Sequence, residues 1–100
     1  MSEKLYIMAC PASYHNQNYH VKIGVSRNPQ KRLSNCRSVY DPLLSLRVVY
    51  DVDNPRAIEK LVKWEFRKKR AKNVWTEFFE VEHWHMVKNF VEIDCGVGAT

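Results

Sequence analysis

Arg32, Glu59, Glu65 and Gly24 are residues of this 100-residue chain whose types could serve chemistry on a phosphate group, each beside an ordinary structural account. Arg32 precedes Leu33, a core-facing position in a short helical segment. Its guanidinium is a planar fork that matches two phosphate oxygens and stays charged at any working pH. A fixed cation of that kind favours a transition state in which negative charge builds on the oxygens of phosphorus. Taken alone, the position reads first as a solvated arginine. Glu59 falls one turn into a longer helical pattern, at the border of its apolar stripe, where a core-anchored helix can hold a carboxylate over a cleft. The competing account is local: Glu59 can pair with Lys63 at i+4 and sits near the positive helix N-terminus. Glu65 falls among Ile58, Leu61 and Val62 at helical spacing and is expected to point inward, where a carboxylate needs a partner or a function. Gly24 ends a strand pattern before a basic loop. Glycine there permits positive φ or close approach of a phosphate backbone, and otherwise marks an ordinary turn.

The charge distribution points to a polyanion. Net charge is +5 and the pI about 9.2. No acidic residue lies between Glu3 and Asp41, a stretch holding Lys4, Lys22, Arg27, Lys31, Arg32 and Arg37. A second basic cluster runs from Arg56 and Lys60 to Arg67, Lys68, Lys69, Arg70 and Lys72, with Trp64 and Trp75 beside it. The last part carries Glu77, Glu80, Glu82, Glu92 and Asp94 against Lys88. A chain basic at one end and acidic at the other presents an oriented field to nucleic acid; a solvated charged surface accounts for the same totals. The basic run also suits the end of a helix, and the two tryptophans suit either packing or stacking on unpaired bases.

Other classes recede. Cys10, Cys36 and Cys95 are odd in number and form no CxxC, which reads as reduced thiols. No apolar run approaches a membrane span, and Met1 to Lys4 is too polar to open a signal peptide; cytoplasmic residence is the expectation. His83 and His85, one residue apart, point to different helix faces and make poor zinc ligands.

One domain of this length must position these groups, over 1–100. Leu5 to Cys10 reads as a first strand and Pro11 to Asn18 as a loop. Tyr19 to Val25 alternates, with Tyr19, Val21, Ile23 and Val25 on one buried face, and predicts an antiparallel partner. Asn28-Pro29 and Asn54-Pro55 read as helix starts. The first helix should run to about Cys36 and the second to about Arg70, with Ile58, Leu61, Val62 and Phe66 as its stripe. Leu46 to Asp51 reads as a third strand. Thr76 to Val81 is a short strand or a docking turn, and His83 to about Val91 or Ile93 a last helix. The expectation is an α+β fold, ββαβαα, with a three-stranded, mainly antiparallel sheet.

The ordered set Leu5-Tyr6-Ile7, Val21-Lys22-Ile23-Gly24, Asn28-Pro29-Gln30-Lys31-Arg32-Leu33, Ala57-Ile58-Glu59-Lys60-Leu61 and Glu77-Phe78-Phe79 spans about residues 5–81. It resembles the GIY-YIG nuclease superfamily, in the Lys-Ile-Gly branch found in many phage proteins (T5orf172-like domains). Each tripeptide alone is weak; the order and spacing carry the likeness. The resemblance implies a metal-dependent endonuclease on nucleic acid, DNA before RNA, with Tyr6, Lys22, Arg32 and Glu59 as catalytic residues. It implies Glu59 as the protein ligand of one Mg²⁺ or Mn²⁺, with Glu65 the lesser candidate beyond the family position. Gly24, Arg27, Lys31, Lys63, Arg67, Lys68 and Arg70 would contact the substrate. Lys22 stands where other members of the superfamily carry a tyrosine, so His20 and Tyr19 are alternative bases. Lys63 stands where related sequences often have histidine, and Asn73 is the candidate late polar residue. Those departures keep two other readings in view, a catalytically degenerate nucleic-acid-binding or regulatory protein and a phage module that acts on a host protein. Without a recognition domain, specificity would come from a homodimer or a protein partner.

Overall fold

The computed structural model describes residues 2–13 and 17–98. It contains β1 (Lys4–Pro11), β2 (Tyr19–Ser26), α1 (Pro29–Val39), β3 (Ser45–Tyr50), α2 (Pro55–Glu65), β4 (Phe79–Val81) and α3 (His85–Asn89). Two single 3₁₀ turns, Arg67–Lys69 and Asn73–Trp75, join α2 to β4, and a π-type turn, Phe90–Asp94, extends α3. The strands form one antiparallel sheet in the order β3-β1-β2-β4. The α+β class is as the sequence suggests, but the sheet has four strands where three were expected. Phe79–Val81 is the extra one, pairing Tyr19↔Val81, His20↔Glu80 and Val21↔Phe79. The predicted loop 11–18 lies partly outside the described residues.

β1 is central, and residues 5–10 are all buried. A strand covered on both faces needs a continuous apolar run, which Leu5 to Cys10 supplies. Two cores result. On one face Leu5, Ile7, Ala9, Val21 and Ile23 meet Val62 and Phe66, with Val87 and Val91 from the chain's last helical stretch. On the other, Tyr6, Met8 and Cys10 meet Leu33 and Cys36 of α1 together with Ala71 and Phe78. β2 was expected to bury one face and buries both: His20 and Lys22 are 8% and 6% exposed. The cover is the segment 70–79, which folds back under β2. An isolated Arg70↔Phe79 bridge and an Ala71 N–H bond to the Phe78 carbonyl (2.9 Å) hold it there.

Asn28 caps α1 by accepting from the Lys31 N–H at 3.2 Å, with Pro29 in the first turn. Such a cap stabilises a helix by about 1 kcal/mol. α1 continues past Cys36 to Val39, three residues beyond its expected end. α2 starts at Asn54-Pro55 without a side-chain cap bond and stops at Glu65 instead of continuing to Arg70. Its buried positions are Pro55 and Val62, with Ile58 and Phe66 packed alongside. Leu61, expected in the stripe, is 52% exposed. Glu65 sits one turn beyond Leu61 on that same flank and is exposed, not inward-pointing as expected. No helix among the described residues is long and apolar enough to cross a membrane.

Candidate functional site

The antiparallel register of β1 and β2 sets the site. Tyr6 lies opposite Gly24, Met8 opposite Lys22, and Cys10 opposite His20. Side chains of opposed residues share a face, so Tyr6, Lys22 and His20 all lie on the side covered by α1. Tyr6 is 1% exposed. A Cβ on Gly24 would run into the Tyr6 phenol. Gly24 does not have positive φ; that conformation belongs to Gly96 among the glycines. The glycine is therefore required by a close approach, as one of the two expectations had it, but the approaching group is a tyrosine ring.

α1 delivers Arg32. Leu33 and Cys36 turn down onto the sheet, which leaves the preceding arginine at the rim. Its guanidinium lies close enough to the Tyr6 phenol for each to shift the other's pKa. Burial pushes the Tyr6 hydroxyl above its ordinary pKa, while Arg32 pulls the other way. At the end of α1, Tyr40 donates its hydroxyl to Glu77 Oε2 at 2.9 Å. The other oxygen of Glu77 lies 3.7 Å from Lys22 Nζ. Glu77 is held below the ordinary carboxylate range, first by the Tyr40 hydrogen bond and then by the Lys22 charge. Lys22 Nζ stands 5.9 Å over the Phe78 ring. Burial lowers the Lys22 pKa, Glu77 opposes that, and the charges of Lys63 and Arg32 add to the lowering.

α2 packs against β2 and β1 and brings the second carboxylate. The Glu59 side chain is 19% exposed and lies 3.4 Å from Lys63 Nζ, the i+4 pair the sequence allows. Its charge acts on Tyr6. Tyr6, Lys22, Arg32, Glu59 and Lys63 are thus drawn from β1, β2, α1 and α2 to one neighbourhood. Of these only Arg32 lines the small hollow of about 150 Å³ beside α1, with Asn35, Cys36, Val39, Tyr40 and Glu77.

Other expected site residues fall elsewhere. Arg27 and Lys31 are exposed at the entry to α1. Arg67 stacks its guanidinium 3.9 Å over the Trp64 ring, out on the surface. Lys68 and Arg70 line a separate cleft with His20. Tyr19 packs on the opposite core and His20 stacks on Trp75, so neither stands where Lys22 does. Asn73 adopts φ 61° and also lines that cleft. Tyr40 was not singled out in the sequence. Nothing local marks it, since its partner Glu77 is 37 residues away. Glu77 was quoted only as part of a motif, with no role.

Among the described residues no three His, Cys, Asp or Glu side chains are grouped to hold a metal ion. A metal here would rest on Glu59 with water and substrate oxygens completing its shell, a donor set that Mg²⁺ accepts. Lys63 is the competing charge.

The family model for the T5orf172 domain matches residues 3–93. No curated protein matches the chain, and no solved structure does.

Proposed function

The chain belongs to the T5orf172 domain family, and on that premise we propose that it is a GIY-YIG-like, divalent-metal-dependent endonuclease that hydrolyses phosphodiester bonds, in DNA before RNA. The observation that carries the reading is the convergence of Tyr6, Lys22, Arg32 and Glu59 around Gly24. These residues lie far apart in sequence, and a fold needs no reason to gather them for stability alone.

Each has a role its setting supports. Arg32 is the fixed cation for the non-bridging phosphate oxygens. The Tyr6 hydroxyl sits above a glycine, where no side chain of β2 blocks it, and orients the attacking water or the phosphate. Lys22 is buried and its pKa is lowered, which brings an ammonium nearer to the range of a proton acceptor. Until it gives up a proton it is a phosphate clamp. Glu77, fixed by Tyr40, positions the Lys22 amine. Mg²⁺ or Mn²⁺ on Glu59 would polarise the phosphate and stabilise the leaving oxygen.

A second reading has its own support. Both carboxylates are ion-paired inside the site, Glu59 with Lys63 and Glu77 with Lys22. A face neutralised that way suits a protein that binds nucleic acid without cutting it. Plasmid and oligonucleotide cleavage with Mg²⁺ or Mn²⁺ decides between them. The expected result is cleavage by the natural protein, lost in both Glu59→Ala and Arg32→Ala. Salt-sensitive binding with no cleavage by any of the three would replace the nuclease by the binding protein.

A further inference from the structure

A cleft among the described residues lies apart from the Arg32 site. It encloses about 530 Å³ between the segment 68–75 and β2, lined by Lys68, Lys69, Lys72, Asn73, His20 and Trp75, with Arg70, Ala71 and Glu80 completing it. Its floor is a built surface. The His20 ring stacks on Trp75 with centroids 4.1 Å apart and planes 20° apart. His20 Nε2 is 3.7 Å from Glu80 Oε1, and Asn18 Nδ2 donates to the other Glu80 oxygen at 2.9 Å. His20 is more than nine-tenths buried, and its Nδ1 has no hydrogen-bond partner among the described residues. A buried polar atom left unpaired is costly, and this one belongs to a residue that lines a basic cleft.

The walls repeat the message. Among the described residues Lys68, Lys69 and Lys72 have no carboxylate partner. Arg70 instead holds the loop, donating to the Thr76 carbonyl at 2.9 Å and lying over the Phe79 ring. Three lysines without a carboxylate partner on the wall of one concavity give it a positive field that favours an anion. Glu80, tied to His20 and Asn18, is the single carboxylate against them.

We propose that this cleft binds a second phosphodiester of the nucleic-acid strand whose other phosphate lies at Arg32 and Tyr6. The two places lie on one line. His20, Lys22 and Gly24 are successive same-face positions of β2, so the cleft floor is about 13 Å from the Tyr6–Gly24 contact at roughly 3.3 Å per residue. That span is too long for one phosphate and suits a strand that crosses the outside of residues 70–79, which cover Lys22, from the cleft to the Arg32 rim. The placement rests on the nuclease-site reading for the first phosphate only; the cleft's own affinity does not.

Fluorescence anisotropy with labelled single-stranded thymidine oligonucleotides, in EDTA and over a salt series, tests this without any cleavage. The natural protein is compared with the double variant Lys68→Gln/Lys72→Gln and with Lys4→Gln/Lys88→Gln, which removes the same charge elsewhere. The cleft variant should bind more weakly, with the slope of log affinity against log salt reduced by about one, and the control should keep its slope. Lengthening the oligonucleotide past the span between the two places should raise the affinity of the natural protein and not that of the cleft variant. Equal slopes in the two variants would overturn the proposal, as would absence of binding by the natural protein at low salt. Inorganic phosphate competing at the cleft as well as the oligonucleotide does would also overturn it, by making this a free-phosphate site. Loss of cleft-dependent binding with no cleavage by any protein leaves the cleft standing and removes the nuclease; cleavage with unchanged binding does the reverse.

Discussion

The Tyr6 ring occupies the space that a Cβ on Gly24, its cross-strand partner, would fill. The pair explains why a glycine stands inside an otherwise buried strand. Glycine weakens a strand unless something needs the room, and here an aromatic ring from the neighbouring strand covers the gap. It also sets the phenolic oxygen over Gly24, where the Arg32 charge acts on it.

Gly24→Ala should therefore destabilise the protein by about 1–3 kcal/mol, the usual cost of forcing extra atoms into a packed place. The conflict is with the Tyr6 ring, so the penalty should largely vanish in a Tyr6→Ala background, which itself costs about 3–5 kcal/mol as a buried aromatic truncation. Urea unfolding of the four proteins of this double-mutant cycle measures the coupling. Additive losses would mean that the ring does not lie over the glycine.

Much of this was legible in advance. Asn-Pro pairs located both longer helices, alternation located β2, and a continuous apolar run located β1. These signals are local, and local geometry governed them. The misses arose where distant segments decided. α2 ends at Glu65 because the chain tightens into a 3₁₀ turn, with the Lys69 N–H bonded to the Phe66 carbonyl, and is then drawn away to bridge Arg70 with Phe79. Within the run Arg67–Arg70 there is no acidic residue to support a longer helix. Leu61 fits the helical period, yet the core contact follows Ile58, Val62 and Phe66 and leaves it on the flank. Tyr40 and the burial of Lys22 both depend on residues 70–79 folding back under β2, and no pattern within either segment announces that.

Tyr40→Phe removes the first cause of the lowered Glu77 pKa. Carbon-detected NMR titration of the Glu77 carboxyl should show its pKa moving up toward the ordinary glutamate value of 4.5. A depressed carboxylate contributes stability above its unfolded pKa and loses it as pH falls through the folded one. The natural protein should therefore lose more stability than Tyr40→Phe on acidification below about 4.5. An unmoved Glu77 titration would show that the hydroxyl does not hold it.

Lys63→Ala should free the Glu59 carboxylate at little structural cost, about 0.5 kcal/mol or less for a half-exposed i,i+4 pair. Under the nuclease reading Mn²⁺ should bind several-fold tighter to this variant, and not at all to Glu59→Ala, as followed by calorimetry. Equal Mn²⁺ affinity in Lys63→Ala and the natural protein would mean that the pair does not compete with a metal.

Lys22→Met separates function from stability. The ammonium is 7% exposed at the side chain, and its partner Glu77 is 58% exposed, so removing the charge strands no buried carboxylate. Stability at neutral pH should be equal or raised, as when a buried charge gives way to an apolar group, while nucleic-acid binding and any cleavage fall. The pH dependence carries the sign. Lys22 has a folded pKa below the ordinary lysine value of 10.5, so between those two values the unfolded chain holds more protons and stability gains with rising pH. Below the lowered pKa both states are charged, and the burial cost is carried in full. Tyr6 and Tyr50, whose pKa values are raised, oppose this above about 10, so the quantity to follow is the difference between the natural protein and Lys22→Met. That difference should shift in favour of the natural protein as pH climbs from the lowered pKa toward 10.5. A flat difference would place the Lys22 amine in water, and with it would go the case for Lys22 as a proton acceptor.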